Sequence, residues 1–145
     1  MGSSLDVPAA SSIRAIRSKS GGRDIETAAV YLQEPRFAEA DIARGELLSL
    51  ACQACHTLGA GQAHLVGPNL FGVFGRVSAG KDGFEYSQEL RSAKLVWTPA
   101  VLEAWLEDPE AFLPGNDMVF AGYNSATDRS DLVAFLLHKT AGLAE

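Results

Sequence analysis

The sequence predicts an all-α domain of three to five helices joined by long irregular loops. Three observations carry that reading. Apolar residues recur at spacings of three and four in short windows. Capping and breaking residues bound those windows. No window sustains the period-two alternation of a half-buried strand.

Taken in order, the head comes first. Residues 1–23 hold Arg14, Arg17, Lys19 and Arg23 against Asp6 alone, so this segment carries +3 and residues 24–145 carry −9 of the chain's −6. Serine, glycine and proline break it up, and a core needs more apolar surface than it offers. It has no apolar run of signal-peptide length. It reads as an expression leader or linker, a natural extension, or an organelle transit segment. Residues 24–35 have weak helical character (Ile25, Ala28, Tyr31, Leu32), closed by Pro35. The expected division is therefore an extension over residues 1–39 and a domain over residues 40–145.

The first clear helix starts at Asp41, a side chain that can cap free backbone N–H groups. Ile42, Gly45, Leu48 and Cys52 follow at helical spacing, and the helix is expected to end near His56, before Gly59, Gly61, Gly67 and Pro68. Residues 57–85 hold seven glycines and no regular pattern. So long an irregular stretch is uncommon in a domain of this size and usually functional. Thr98-Pro99 starts a second helix, with Thr as N-cap and Pro in the first turn. Its apolar face is Val101, Leu102, Trp105 and Leu106, and Pro109 is expected to end it. Residues 109–124 are expected to be loop. Ser125 to Asp128 resembles a capping box with Asp in place of Glu. A last helix shows one face as Leu132, Phe135, Leu136 and Lys139, with Gly142 beyond it.

Composition excludes several functions. No run of 18 apolar residues exists, so no membrane-spanning helix is expected. The acidic body lacks the clustered Lys and Arg of a nucleic-acid surface.

Both cysteines of the chain fall in Cys52-Gln53-Ala54-Cys55-His56. Two thiols three residues apart at a helix end reach two vinyl groups on one edge of a porphyrin. The next side chain, His56, then lies under the ring and offers a nitrogen to the iron. This is the spacing for covalent haem attachment. A redox disulfide uses Cys-x-x-Cys at a strand–helix junction, and no strand is expected here. A zinc site needs four ligands, and His64 is the only nearby extra candidate. A second axial ligand follows by elimination. Met1 is terminal, which leaves Met118, in the polar loop Gly115-Asn116-Asp117-Met118, where an apolar filler would be out of place. A thioether suits haem iron, and a Met/His pair raises its reduction potential. His64 and His138 are the rivals. His64 is expected to be exposed in a glycine-rich loop, and His138 to complement a helix C-terminus.

From about Ala40 to Lys139 the chain resembles the class I c-type cytochromes, the family of mitochondrial cytochrome c and its soluble bacterial relatives. The segments that carry this are collinear: CQACH, GPNLFGVFGR, GFEYS, Trp97, WLEDP, LPGNDMVFAG and DLVAFL. The resemblance implies one haem c, bound through Cys52 and Cys55 and ligated by His56 and Met118. It implies that the Pro68 carbonyl holds the His56 ring, and that Arg76, Tyr86 and Trp97 donate hydrogen bonds to the haem propionates. It implies that Gly45 and Phe135 meet where the first and last helices cross. The implied function is single-electron transport between donor and acceptor oxidoreductases, soluble or membrane-bound, as in a respiratory chain, by a monomer that is not an enzyme. Alternatives are an electron-transfer subunit of a larger oxidoreductase, a haem peroxidase or a haem-based sensor. The implied location is the periplasm, or else the mitochondrial intermembrane space. One departure concerns partners. Where mitochondrial members ring the haem edge with lysines, this chain offers Glu110, Ala111 and Asp117, so a neutral or acidic docking surface is expected. Trp105 and Leu90 replace a tyrosine and an amide near the haem.

Overall fold

The computed structural model describes residues 26–141. The basic head, residues 1–23, and Gly142 lie outside the described residues. Eight helical segments occur in the described chain: α1 (Ala28–Tyr31), α2 (Pro35–Ala38), α3 (Ile42–Leu48), α4 (Leu50–Gln53), α5 (Gln88–Ala93), α6 (Pro99–Glu107), α7 (Pro109–Phe112) and α8 (Ala126–Thr140). One isolated antiparallel bridge, Val77 to Val96, is the only β pairing among them. No helix of the described residues is long and apolar enough to cross a membrane.

Local chemistry explains where the helices start. The side chains of Asp41, Ser87, Thr98, Asp108 and Ser125 each accept a backbone N–H three residues on, satisfying a donor that the helix cannot. α3 and α4 form one bent rod. Ser49 keeps its bond to the Gly45 carbonyl at 2.9 Å, while its hydroxyl donates to the Glu46 carbonyl at 2.6 Å, a competing bond of the kind that bends helices.

α8 is the axis of the core. Residues 131–137 are all buried, more than one helical stripe, because α2, α3 and α6 all pack around it. Lys139, expected on the apolar face, is exposed. The most extensive helix pairing is α3 against α8, and Gly45 sits in it. A Cβ at Gly45 would lie 2.0 Å from the Asp131 carbonyl oxygen and 2.8 Å from the Phe135 Cβ. Asp131, itself buried, accepts the Asp41 N–H at 2.9 Å and so caps α3 from across the crossing.

The helices end before Pro35 and Pro109 as expected, and each proline also starts a new short helix. Pro35 opens α2 and Pro109 opens α7, since the first helical position needs no N–H. Residues 109–124 are thus not wholly loop. Packing also begins before residue 40. Phe37, in α2, is only 2 % exposed, and Ala28, Tyr31 and Leu32 pack against the same core. Arg36 lies over the Phe37 ring, 4.4 Å from its centroid, and pairs with Glu103 of α6. Burial pushes the Glu103 carboxyl above its usual range, and Arg36 opposes that. Phe37→Ala should cost about 3–5 kcal/mol, the usual price of a large buried aromatic. Denaturant midpoints of the haem-loaded protein check this, and a loss under about 1 kcal/mol would place α2 outside the cooperative core.

Candidate functional site

The cysteine pair sits at the end of the bent rod. The Cys52 carbonyl accepts from both the Cys55 N–H at 3.0 Å and the His56 N–H at 2.8 Å, so the last turn carries His56 on the thiols' side. Both thiols are free and half-buried. Burial, and secondarily the Cys55 charge, pushes the Cys52 thiol up to about 11, so it is neutral at physiological pH.

His56 is fixed by the loop that follows. Its Nδ1 lies 2.7 Å from the Pro68 carbonyl oxygen. A carbonyl only accepts, so Nδ1 carries the proton and Nε2 keeps its lone pair. Burial lowers the His56 pKa, and the bond to Pro68 partly opposes this. The ring is therefore held neutral, the form a metal ligand needs. Gly67 makes room for it: a Cβ there would lie 2.3 Å from His56 Cε1.

Asn69 organises this loop, a role the sequence reading did not assign. It is 1 % exposed. Its amide donates to the Thr57 hydroxyl and the Gly59 carbonyl, both at 2.9 Å, and its oxygen accepts the Phe71 N–H at 3.2 Å. His64 is a brace and not an exposed side chain. Its Nδ1 accepts the Asn69 N–H at 2.9 Å and its Nε2 lies 2.9 Å from the Asp82 carbonyl. With both ring nitrogens engaged, it has none left for a metal. The glycine-rich segment is thus tied down by side chains and by neighbouring backbone, including Gly72 N–H to Thr140 O at 2.7 Å and Gly75 N–H to Trp97 O at 2.8 Å.

The Arg76 and Tyr86 side chains are brought together, and Trp97 is joined to Arg76 through the backbone. The Arg76 guanidinium donates to the Asn69 and Phe71 carbonyls. Burial lowers its pKa, against which the Tyr86 hydroxyl beside it acts. The Trp97 backbone N–H donates to the Arg76 backbone carbonyl at 2.9 Å, and the buried Trp97 ring packs edge-to-face on Trp105.

Met118 belongs to a loop with its own organiser. Asn116 donates to the Pro109 and Leu113 carbonyls, at 3.0 and 2.9 Å, and accepts the Met118 N–H at 2.8 Å. Met118 packs on the common core. The loop's far end is fastened by the Tyr123 N–H to Leu106 O at 2.8 Å and by the Tyr123 hydroxyl, which donates to Leu48 O at 3.0 Å. Gly122 allows this approach, with φ +103° and a would-be Cβ 2.1 Å from the Glu107 carbonyl oxygen.

The residues present fit a covalently held haem. Two half-buried thiols and an oriented neutral imidazole stand within five residues, Met118 offers a soft thioether on the common core, and Gly67 leaves the room that the His56 ring takes up. Among the described residues no group of three or more His, Cys, Asp or Glu converges as a zinc site would require.

No protein-family model matches the chain. Individual relatives do. Cytochrome c of Chlamydomonas reinhardtii is 44 % identical over 109 residues, covering 72 % of this chain and 97 % of the relative. The chain belongs to the class I c-type cytochromes. Two bacterial cytochromes c2 are also similar. That of Agrobacterium tumefaciens (strain II Chrys) is 38 % identical over 68 % of this chain and 92 % of its own length. That of Blastochloris viridis is 39 % identical over 68 % of this chain and 78 % of its own length. As a class I cytochrome, the chain carries covalent haem c and acts as an electron carrier, not as an enzyme. Its helical fold, with no strand among the described residues, is the family's all-α fold.

Proposed function

We propose that Cys52 and Cys55 form the two thioethers, that His56 Nε2 and Met118 Sδ are the axial ligands, and that the protein shuttles single electrons between oxidoreductases. The observation that carries this is His56. It follows Cys55 directly, and its Nδ1–H is committed to the Pro68 carbonyl at 2.7 Å, which leaves Nε2 as the only donor. Such a bond fixes a ligand's tautomer and ring orientation. When bound, the haem iron stores one electron by cycling between ferric and ferrous. Every other task falls to the chain. The Asn116-held loop keeps Met118 in place, and small molecules then find no open coordination position. Arg76, Tyr86 and Trp97 supply donors for the two propionates, whose burial would otherwise be costly.

Partners are donor and acceptor redox proteins, and the carrier works as a monomer. Covalent attachment needs reduced thiols and a dedicated machinery, which supports a periplasmic site or the mitochondrial intermembrane space.

Co-expression with haem-attachment machinery should give a protein heavier than the bare chain by one haem. The colour should stay with the chain through acid-acetone extraction. Cys52→Ala and Cys55→Ala together should abolish this. Colour that washes out of the unaltered protein would sink the assignment.

A further inference from the structure

The segment before the attachment helix is joined to the far end of the Met118 loop by a chain of charged side chains. α2 is seated by Phe37, which is buried in the core. Its neighbour Arg36 stacks on that ring and pairs both with Glu34, at 3.4 Å, and with Glu103 of α6. The Glu103 side chain is only 14 % exposed. Its buried Oε2 has the Arg36 ion pair and no hydrogen bond besides among the described residues. A carboxylate so placed is costly unless cations answer it. Two do: Arg36 from α2 and Arg129 from the start of α8, whose charges both pull the carboxyl down against its burial, with Glu34 opposing them.

Arg129 has a second task. Its guanidinium donates to the Tyr123 carbonyl at 2.8 Å and to the Asn124 carbonyl at 2.7 Å. Those two residues close the loop that carries Met118, and α6 holds the same stretch through the Tyr123 N–H to Leu106 O bond at 2.8 Å. Arg129 thus stands between a buried carboxylate that attracts it and two carbonyls that it fastens. Arg36 sets the balance. While it answers Glu103, Arg129 is left to the loop.

We infer, on the reading of Met118 as the sixth haem ligand, that Arg36 and Glu103 are positioning residues for it: the Arg36–Glu103 pair keeps Arg129 on the Tyr123 and Asn124 carbonyls and so keeps the Met118 loop seated. Neither residue touches the iron. They set how often the loop lifts as a local opening, and with it how continuously the sixth position is filled.

Arg36→Ala in the haem-loaded protein tests this. Glu103 is then left with Arg129 alone, which is drawn off the loop. The Met118 and Tyr123 amides, bonded to Asn116 and to Leu106, should exchange with solvent about tenfold faster, a change of the size such networks carry. The ferric protein should also bind added imidazole about tenfold faster, because the incoming ligand waits for the same opening. Its far-red thioether band should fade at a lower temperature. Glu103→Gln placed on top of Arg36→Ala should slow both processes again, since a neutral amide no longer draws Arg129 away. A merely structural α2 predicts the reverse, with the second substitution adding to the first. Val30→Ser, at an exposed valine of α1, is the control and should change neither rate.

The proposal is overturned if Arg36→Ala leaves both rates as they were, or if the double variant is as fast as the single one. It is also overturned if the quickened exchange depends on denaturant as steeply as global unfolding does, because the loop then opens only with the whole domain. Amide exchange needs no sulfur on the iron. An unaltered protein without the far-red band would therefore refute the ligand assignment, while exchange at Met118 and Tyr123 would still decide whether Arg36 and Glu103 hold the loop.

Discussion

Met118→Ala should lower the reduction potential by on the order of a few tenths of a volt, and should remove the far-red band of a thioether bound to ferric iron. A thioether stabilises the ferrous form, and axial ligands set haem potentials over about 0.8 V. Alanine leaves a coordination position for water or a stray nitrogen, so the variant should also bind small ligands. The structure supplies a graded companion. Asn116 holds the Met118 N–H at 2.8 Å and anchors to the Pro109 carbonyl at 3.0 Å. Asn116→Ala frees the loop without removing the sulfur, so its band should weaken and its potential should fall by less. Voltammetry and absorption spectra of the haem-loaded variants check both. If Met118→Ala kept the band and the potential, another side chain would hold the sixth position. His64 is a poor rival, since both of its ring nitrogens are engaged with Asn69 and Asp82.

How much of this was legible in the sequence depended on distance along the chain. The attachment motif was readable because its chemistry is contiguous, five residues from Cys52 to His56. Helix starts at Asp41, Thr98 and Ser125 were readable because a cap acts only three residues away. Pro35 and Pro109 were readable as stops, and both helices before them do end there, but their second role as helix starts was not. A proline forbids a helix interior but suits a first turn, and only the neighbouring Glu34 and Asp108, both in extended conformation, decide which. The packing of α2 was hidden because one phenylalanine in a polar stretch gives no periodic signal. Asp131 capping the Asp41 N–H spans 90 residues, and no local pattern encodes such a bond. Asn69 and Asn116 were hidden for a different reason. Asparagine is ordinarily a surface or turn residue, and burial with all its groups satisfied shows only in three dimensions. Gly67 was read as a helix breaker, whereas its close approach to the His56 ring is what the site uses.

Gly45→Ala should destabilise the haem-loaded protein by about 2 kcal/mol, although by local criteria it ought to stabilise. Alanine is favoured over glycine inside a helix by about 1 kcal/mol, and Gly45 lies within α3. Against this stands the crossing with α8. The added Cβ would lie 2.0 Å from the Asp131 carbonyl oxygen and 2.7 Å from its carbon, both backbone atoms that cannot swing aside. Relief requires moving α3 away from α8, and that separation is felt widely. It lengthens the Asp131–Asp41 cap, now 2.9 Å, and loosens the packing of Phe135. Overpacking a tight contact costs about 1–3 kcal/mol and occasionally more, and rigid backbone on the far side puts this site at the upper end. The crossing term therefore outweighs the propensity term. Thermal denaturation should show a midpoint lower by about 10 °C for a domain of this size. Covalent haem should remain, because the thioethers do not depend on the crossing once formed, so the loss is read as stability and not as cofactor loss. A midpoint that rises by a few degrees would mean that α3 and α8 pack further apart than the structure has them, and that Gly45 serves only local helix geometry.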